Sequence, residues 1–181
     1  SDQDGYAAAF KQLSDTLLLA GRRCAVEHLH MRVLELRALE NVAPSAEFVS
    51  ADDHLATLRI RKDQAELDAI QKAIAITEQA LQELIAGSLI GATERQIAAR
   101  LEREMMSAGA DGAAFIIVVS GPNSADPHAE PSDRTLEAGD LLTIDCGAIK
   151  DGYMADITRT FVAGSPSDDI LAIHAVVQQA N

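Results

Sequence analysis

Two aspartates eleven positions apart, Asp145 and Asp156, are the residues of this sequence whose type and spacing point most directly to chemistry. Each lies within a strand-like run, and the runs flank Asp151-Gly152, a strong signal for a two-residue hairpin turn. In that hairpin Asp145 lies opposite Thr158, and the two aspartates are diagonal neighbours on one face, with Cβ atoms at most about 7–8 Å apart. Carboxylates so close repel each other unless a cation or a shared proton lies between them, so the pattern indicates a divalent-metal site.

A solvated hairpin face is the simpler interpretation, because an antiparallel hairpin commonly has one wet, polar face. Two observations favour metal binding. First, aspartate is depleted in strands, yet both aspartates lie within strand-like runs rather than at the turn. Second, threonines flank the two aspartates, and a threonine hydroxyl is a suitable hydrogen-bond partner for a ligating carboxylate. In the predicted register, Gly147 lies opposite Asp156. Spacing alone leaves both interpretations open.

Several predicted elements must position this hairpin. Residues 64–86 predict a helix with Asp63 as N-cap, and Thr93-Glu94-Arg95-Gln96 fits a capping box that begins a second helix. Residues 115–119 predict a strand buried on both faces, and the loop 121–131 that follows contains His128, in a setting where a histidine is ordinarily just exposed. The apolar face of the hairpin carries Leu142, Ile144, Cys146, Ile157 and Phe161, and the first helix has an apolar stripe of Leu67, Ile70, Ile74, Leu81, Leu84 and Ile85.

The N-terminal third alternates between helix and strand. Helices are predicted at 6–20 and 30–39, strands at 22–27 and 47–50, and a helical connection at 51–61. This alternation indicates the end of an α/β unit with parallel strands. His28, His30 and His54 are interpreted as structural, since no partner pattern surrounds them.

Composition bounds the function. The 181 residues are 48% hydrophobic, enough for a core, and the net charge of −13 argues against nucleic acid as a partner. The longest apolar run, near residues 115–119, is too short to span a membrane, and the acidic start carries no secretory signal, so a cytoplasmic location is expected. Two cysteines, Cys24 and Cys146, make no disulfide framework, and Cys146 is expected to be a small buried hydrophobe.

A set of short motifs occurs in a fixed order between Leu58 and about Gly164. Individually they are weak, but together they resemble the metal-dependent aminopeptidase family that includes Xaa-Pro aminopeptidase, prolidase, methionine aminopeptidase and creatinase. The motifs are Leu58-Arg59 with Arg61-Lys62 and Glu66, Gly91-Ala92-Thr93-Glu94, Gly121-Pro122-Asn123-Ser124, Pro127-His128, Leu136-Glu137-Ala138-Gly139-Asp140, Ile144-Asp145-Cys146-Gly147, Gly152-Tyr153, and Asp156-Ile157-Thr158-Arg159-Thr160-Phe161.

The resemblance implies roles for four residues. Asp145 and Asp156 match two of the five ligands of a two-metal centre, Thr158 would orient a ligating carboxylate, and His128 matches a cleft histidine that contacts the substrate or the leaving group. Oxygen-rich ligation favours Mn(II), with Co(II) or Zn(II) as substitutes. The other ligands of the family, a histidine and two glutamates, lie further downstream. The sequence is therefore interpreted as a fragment, truncated at both ends and inactive by itself.

The resemblance also implies the fold and the reaction. The expected class is α+β: residues 59–181 form the first half of a pita-bread (creatinase-like) catalytic domain, and residues 1–58 the C-terminal part of its N-terminal domain. Because this extra domain is typical of the proline-cleaving branch, the expected reaction is metal-dependent hydrolysis of Xaa-Pro bonds, by an aminopeptidase or a dipeptidase. The expected substrate is a peptide with proline at the second position, and the intact protein is expected to be a homodimer. A metal-free creatinase-like amidinohydrolase and a non-catalytic peptide- or protein-binding module remain open as alternatives.

Overall fold

The chain divides into two compact units, residues 1–62 and residues 63–181. A computed structural model describes residues 3–27, 29–126 and 128–180. His28 and Pro127, both named in the sequence predictions, lie outside the described residues. Each unit is built from its own helices and strands.

The first unit contains two parallel strands and three helices. Strands β1 and β2 pair in parallel, with Arg23 opposite Glu47, which confirms the predicted α/β arrangement. Helix α1 packs against α2, and Leu39 and Ala43 are among the buried side chains of this unit. His30 and His54 are exposed. The elements are α1 (Gln3–Leu17), β1 (Arg23–Val26), α2 (Val33–Val42), β2 (Glu47–Ser50) and α3 (Asp52–Ile60).

The second unit begins with two capped helices. The predicted N-cap Asp63 and the predicted capping box of Thr93 are both present, and Asp63 also forms a capping box. Asp63 caps the first helix by accepting a hydrogen bond from the Glu66 backbone N–H, while the Glu66 side chain accepts one from the Asp63 N–H. Thr93 and Gln96 make the same reciprocal pair at the second helix. Such pairs satisfy backbone donors that a helix leaves free at its N-terminus. The helices are α4 (Gln64–Ile85) and α5 (Glu94–Ser107).

An antiparallel sheet follows the two helices. Strand β4 lies at its centre, with β3 along one side and β5 and β6 along the other. A 3-10 helix, Gly121–Ala125, leaves the end of β3, and a C-terminal helix follows the sheet. The elements are β3 (Gly112–Ser120), β4 (Leu141–Lys150), β5 (Tyr153–Met154), β6 (Ile157–Val162) and α6 (Asp168–Ala180).

The predicted hairpin turn is confirmed. Asp151 and Gly152 have φ angles of 52° and 80°, and positive φ at both central residues defines the type I′ turn that matches the twist of antiparallel strands. Lys150 pairs with Tyr153, and Asp145 pairs with Thr158, as the sequence predicts. The bend therefore holds an even number of residues, which keeps the predicted register.

Helices α4 and α5 cover one face of the sheet, α4 over β4 and α5 over β3. The core between them contains Leu84, Leu101, Met105 and Ile144, each fully buried. Burial of a side chain of this size contributes roughly 1.5–3 kcal/mol relative to leaving it exposed. The alternation along β4 follows from this packing, since Leu142, Ile144 and Cys146 point into the core.

The buried face of α4 differs from the predicted stripe. Leu67, Ile74 and Ile85 are exposed, so the prediction was wrong at those positions. Small residues allow a closer approach: the buried Thr77 hydroxyl accepts a hydrogen bond from the Ala148 N–H at 3.0 Å, joining helix to sheet. The buried residues of α4 are Ala69, Ala73, Ile76, Thr77, Ala80, Leu81 and Leu84.

Strand β3 is less enclosed than predicted. Val118 and Val119 are buried, but Phe115, Ile116 and Ile117 are only half-buried, so burial on both faces holds at the C-terminal end alone. The helices cover one face, and the first part of the other face is open. None of residues 168–180, which make up α6, is buried.

Gly147 lies where the chain before β6 approaches β4 most closely. The ladder is interrupted at Ala155 and Asp156, while the pairs on either side keep the same register. A Cβ atom built on Gly147 would lie 1.7 Å from the Ala155 carbonyl oxygen. Only glycine fits at this position, because every other residue would push Ala155 and Asp156 away from the strand.

Replacement of Gly147 tests this close approach. Gly147→Ala is expected to lower the free energy of unfolding by at least about 1–3 kcal/mol, the usual cost of inserting atoms into a packed site. Urea denaturation of the full-length protein measures the change. Gly112→Ala is the matched control, because a Cβ at that strand glycine meets nothing nearer than 3.9 Å. Equal stability of the two variants would contradict the interpretation.

Candidate metal centre and its loop

Asp145 is held by the strand that carries it. Its neighbours Ile144 and Cys146 are fully buried on the core side, so the half-buried Asp145 side chain lies on the opposite face of β4. Across the ladder, the Thr158 hydroxyl donates a hydrogen bond to Asp145 Oδ1 at 2.7 Å. The predicted Asp145–Thr158 pairing therefore brings a hydroxyl onto one oxygen of the carboxylate and fixes its rotation.

Asp156 follows the close approach at Gly147 and is exposed. Both Asp145 and Asp156 lie near enough to the Cys146 thiol to affect its ionisation. Burial, and then the negative charge of Asp145, raise the pKa of Cys146 to about 12; the charge of Arg159 lowers it, and Asp156 adds a smaller rise. Cys146 is therefore a buried, protonated side chain, as the sequence predicts, and not a nucleophile.

The two carboxylates lack positive partners. Across the described chain, no Lys, Arg or His side chain forms an ion pair with Asp145 or Asp156, whereas Glu78, Asp111, Asp140 and Asp151 of the same unit each have one. Two oxygen ligands without a counter-charge suit a hard divalent cation. Within residues 3–27, 29–126 and 128–180, no group of three or more His, Cys, Asp or Glu side chains is placed to hold a metal ion. The described residues thus include two candidate ligands, one of which accepts a hydrogen bond from Thr158.

His128 lies in the loop that leaves β3. It is exposed, and its backbone N–H donates a hydrogen bond to Asp126 Oδ1 at 3.0 Å, which closes a local turn. Among the described contacts, none joins the His128 imidazole to Asp145 or Asp156. The structure therefore brings Asp145 and Thr158 into contact and leaves the His128 imidazole available.

Glu94 is the functional candidate that the sequence does not reveal. It is fully buried at the start of α5, and its carboxylate accepts hydrogen bonds from Ser120, Asn123 and Ser132. Burial opposes ionisation of Glu94, but the hydrogen bonds from Ser132 and Ser120 outweigh it and lower the pKa below the usual carboxyl value. The sequence marks Glu94 only as a first-turn helix residue, because its partners lie 26 to 38 positions further along the chain.

An ion pair between Arg134 and Asp140 lies in the chain that follows the loop 121–131. Arg134 donates to both oxygens of Asp140, at 2.6 and 3.0 Å, and to the Ser120 hydroxyl at 2.7 Å. The pair is mostly shielded from solvent, and its two-pronged geometry is the strong form of the Arg–carboxylate contact. Its main effect on titration is that the hydrogen bond from Arg134 lowers the pKa of Asp140. The Ser120 hydroxyl thus forms hydrogen bonds with both Glu94 and the Arg134 of the Arg134–Asp140 pair.

Among the helices described, none combines the length and the apolar character that crossing a bilayer requires.

Comparison with known proteins places the chain among peptidases. Over 135 residues it is 42% identical to an Xaa-Pro dipeptidase of Pyrococcus furiosus, and the matched region covers 74% of this chain and 39% of that protein. An Xaa-Pro dipeptidase of Pyrococcus horikoshii is 39% identical over 146 residues, covering 80% of this chain and 42% of that protein. The chain therefore spans about two fifths of the length of the curated relatives it matches.

Solved structures match almost the whole chain. An X-Pro aminopeptidase from Thermotoga maritima superposes with a TM-score of 0.89 and 36% identity, over 97% of this chain and 49% of that one. A prolidase from Pyrococcus furiosus gives a TM-score of 0.87 and 34% identity, over 94% of this chain and 50% of that one. The predicted α+β, pita-bread architecture is confirmed, with about half of each of those chains covered.

The metallopeptidase family M24 model matches residues 68–181, which contain the hairpin, the loop, all of α5 and most of α4. The motifs between Leu58 and Gly164 thus indicated the correct relatives, and the chain belongs to metallopeptidase family M24.

Proposed function

We propose that this protein hydrolyses Xaa-Pro peptide bonds at a divalent-metal centre to which Asp145 and Asp156 contribute ligands. The observation that carries the proposal is the pair of acidic side chains on the β4–β6 hairpin, which have no cationic partner among the described residues while Thr158 holds one of them. Membership of family M24 and the names of its relatives, Xaa-Pro dipeptidase and X-Pro aminopeptidase, support the reaction.

Four residues have distinct roles in the proposed hydrolysis. Asp145 and Asp156 bind the cations, and Thr158 keeps the Asp145 carboxylate from rotating, so that one oxygen stays directed at the metal. Bound divalent ions supply a Lewis acid and a water of lowered pKa. The His128 imidazole donates a hydrogen bond to the anion that develops on the peptide carbonyl oxygen or to the departing amine.

The metal is proposed to be Mn(II), in a two-ion centre. Carboxylate oxygens suit hard cations, which favours Mn(II) and leaves Co(II) or Zn(II) as substitutes. The remaining ligands of such a centre, a histidine and two glutamates by the sequence resemblance, are proposed to come from a part of the protein outside these 181 residues. The present chain is then inactive on its own.

The first unit is proposed to be the end of a creatinase-like N-terminal domain, as the parallel pairing of β1 and β2 suggests. The resemblance places this domain in the proline-cleaving branch, so the proposed substrate is a peptide with proline at its second position. The same resemblance underlies the proposal of a homodimer, whereas composition underlies the proposal of a cytoplasmic location. Aminopeptidase and dipeptidase action differ only in the length of peptide accepted.

Removal of either carboxylate tests the metal centre. Asp145→Asn and Asp156→Asn in the full-length protein are expected to weaken Mn(II) binding, and to lower kcat/KM on an Xaa-Pro peptide, by more than the roughly 10–100-fold that loss of an outer hydrogen-bond partner costs. Calorimetric titration with Mn(II) and a proline-release assay measure both quantities. Asp151→Asn is the control, since it removes the same charge from the same hairpin at the turn, where asparagine accepts positive φ. The ion pair with Lys72 that it also removes is solvent-exposed and contributes little to stability.

The outcomes separate the alternatives. A wild-type protein that binds Mn(II) but leaves Xaa-Pro peptides intact would contradict the proposed reaction. Hydrolysis of a small amidine without metal would instead favour the creatinase-like alternative, and peptide binding without turnover would favour the binding module.

Thr158 offers a narrower test of ligand orientation. Thr158→Val removes the hydroxyl on Asp145 while keeping the shape of the side chain, and it is expected to weaken Mn(II) binding about 10–100-fold. Thr160→Val is the control, because Thr160 lies two positions along on the same face, where its hydroxyl contacts Thr143 at 3.3 Å. Calorimetric titration should leave the Mn(II) affinity of that variant unchanged. Equal affinities for both variants would show that Thr158 does not orient the ligand.

His128 separates catalysis from metal binding. His128→Ala is expected to lower kcat about 10²–10³-fold, the cost of losing one donor to a developing anion, while the bound Mn(II) stays constant. Steady-state kinetics on an Xaa-Pro dipeptide, with metal analysis of the same sample, measures both. A variant with unchanged kcat would rule His128 out of the reaction.

A further inference from the structure

The segment 121–131, here called the His128 segment, is held at both ends by one carboxylate. Ser120 precedes it as the last residue of β3, and Ser132 follows it. Glu94 Oε1 accepts from the Ser120 N–H at 2.7 Å and from its hydroxyl at 2.8 Å. Glu94 Oε2 accepts from the Ser132 N–H at 3.0 Å and from its hydroxyl at 2.6 Å. Each oxygen of Glu94 therefore holds one end of the segment.

A third contact reaches inside the segment. Asn123 Nδ2 donates to both oxygens of Glu94, at 3.2 Å each, and to the Ser132 hydroxyl at 3.2 Å. Beyond Asn123, the side-chain and backbone hydrogen bonds described for residues 124–130 stay within the segment, such as Asp126 to His128. The position of His128 relative to the sheet therefore depends on how the two ends are held.

Glu94 is well suited to hold them. It is the first residue of α5 and is fully buried. Backbone hydrogen bonds also join this helix to the chain just after the segment, from Glu94 N–H to Arg134 O at 3.0 Å and from Arg95 N–H to Ser132 O at 3.1 Å. A buried carboxylate that accepts this many hydrogen bonds has little freedom to rotate. The helix thereby becomes a rigid base for the loop.

We propose that Glu94 is a positioning residue of the active site, which holds the His128 segment in the arrangement that presents the imidazole to the substrate. This inference rests on the proposed Xaa-Pro hydrolysis, in which His128 is the group that contacts the reacting peptide. Glu94 itself contacts no substrate. Its effect on the reaction passes through the segment and through His128.

The structure explains why glutamine cannot replace Glu94. Both carboxylate oxygens face a backbone N–H, from Ser120 on one side and from Ser132 on the other. A glutamine amide has one oxygen and one NH2 group, so in either orientation it sets a donor against a buried donor. One end of the segment is then released.

The experiment compares Glu94→Gln with Thr93→Ala in the full-length protein. Thr93→Ala removes the side-chain cap from the same helix end but leaves every contact of Glu94 in place, so it controls for weakening of α5. Hydrogen–deuterium exchange of the amides of the His128 segment and of Ser120 and Ser132 at its two ends is expected to be about tenfold faster in Glu94→Gln, because the N–H of one of these serines loses its acceptor. The control should match the wild type in that segment.

Kinetics on an Xaa-Pro dipeptide with Mn(II) supply the second readout. Glu94→Gln is expected to lower kcat about tenfold with little change in KM. In the His128→Ala background, Glu94→Gln is expected to lower kcat by less than about a further twofold, because the effects of residues that act as one unit are not additive. A full tenfold loss in the His128→Ala background would overturn the proposal and leave Glu94 a purely structural residue. Unchanged exchange in the segment would overturn it as well.

Two further arms keep the test decisive. If Glu94→Gln does not fold, Ser132→Ala takes its place. This substitution removes one hydroxyl donor from Glu94 Oε2 and keeps the backbone donor, so hydrogen–deuterium exchange in the segment should become about threefold faster. Unchanged exchange in Ser132→Ala would overturn the proposal. If the wild type does not cleave Xaa-Pro peptides, the proposed function fails. The exchange comparison still decides whether Glu94 holds the segment.

Discussion

The type I′ turn at Asp151 and Gly152 sets the register of β4 against β6, and the geometry of the candidate metal centre follows from that register. The turn is itself anchored. The Asp151 side chain pairs with Lys72 of α4 at 3.0 Å, and its backbone N–H donates to Asp111 at 2.8 Å. A slip of one residue would turn every side chain of β6 to the other face, placing Ile157 in solvent and Thr158 in the core. The apolar packing of one face thus determines which residues meet on the other.

The acidic residues of this unit fall into two physical classes. Glu94 and Asp140 are buried or nearly so, and each is surrounded by donors or by an arginine that stabilise its charge. Asp145 and Asp156 have no such cationic partner in the described part of the chain, and two neighbouring charges of the same sign repel each other. Glu94 and Asp140 therefore support the fold, whereas the proposed binding of a cation would relieve the repulsion between Asp145 and Asp156.

Local patterns predicted those features that depend on neighbours in sequence. The capping residues Asp63 and Thr93, the turn at Asp151 and the pairing of Asp145 with Thr158 all follow from short-range rules. Contacts between distant segments were not predictable in this way. Periodicity favoured large side chains on α4, whereas its buried face also includes the small residues Ala69, Ala73, Thr77 and Ala80. The partners of Glu94 come from two later segments. The roles of Asp145 and Asp156 as ligands, like those of Thr158 and His128, stay predictions.

The burial of Cys146 has a practical consequence. Its sulfur is enclosed between the sheet and the helices, one residue from Asp145, while Cys24 in the other unit is only partly covered. An alkylating reagent added to the native protein therefore reaches Cys24 directly but reaches Cys146 only when the hairpin separates from the helices. The rate of labelling at that one sulfur, read by mass spectrometry, therefore reports how often the strand that carries Asp145 separates from the helices.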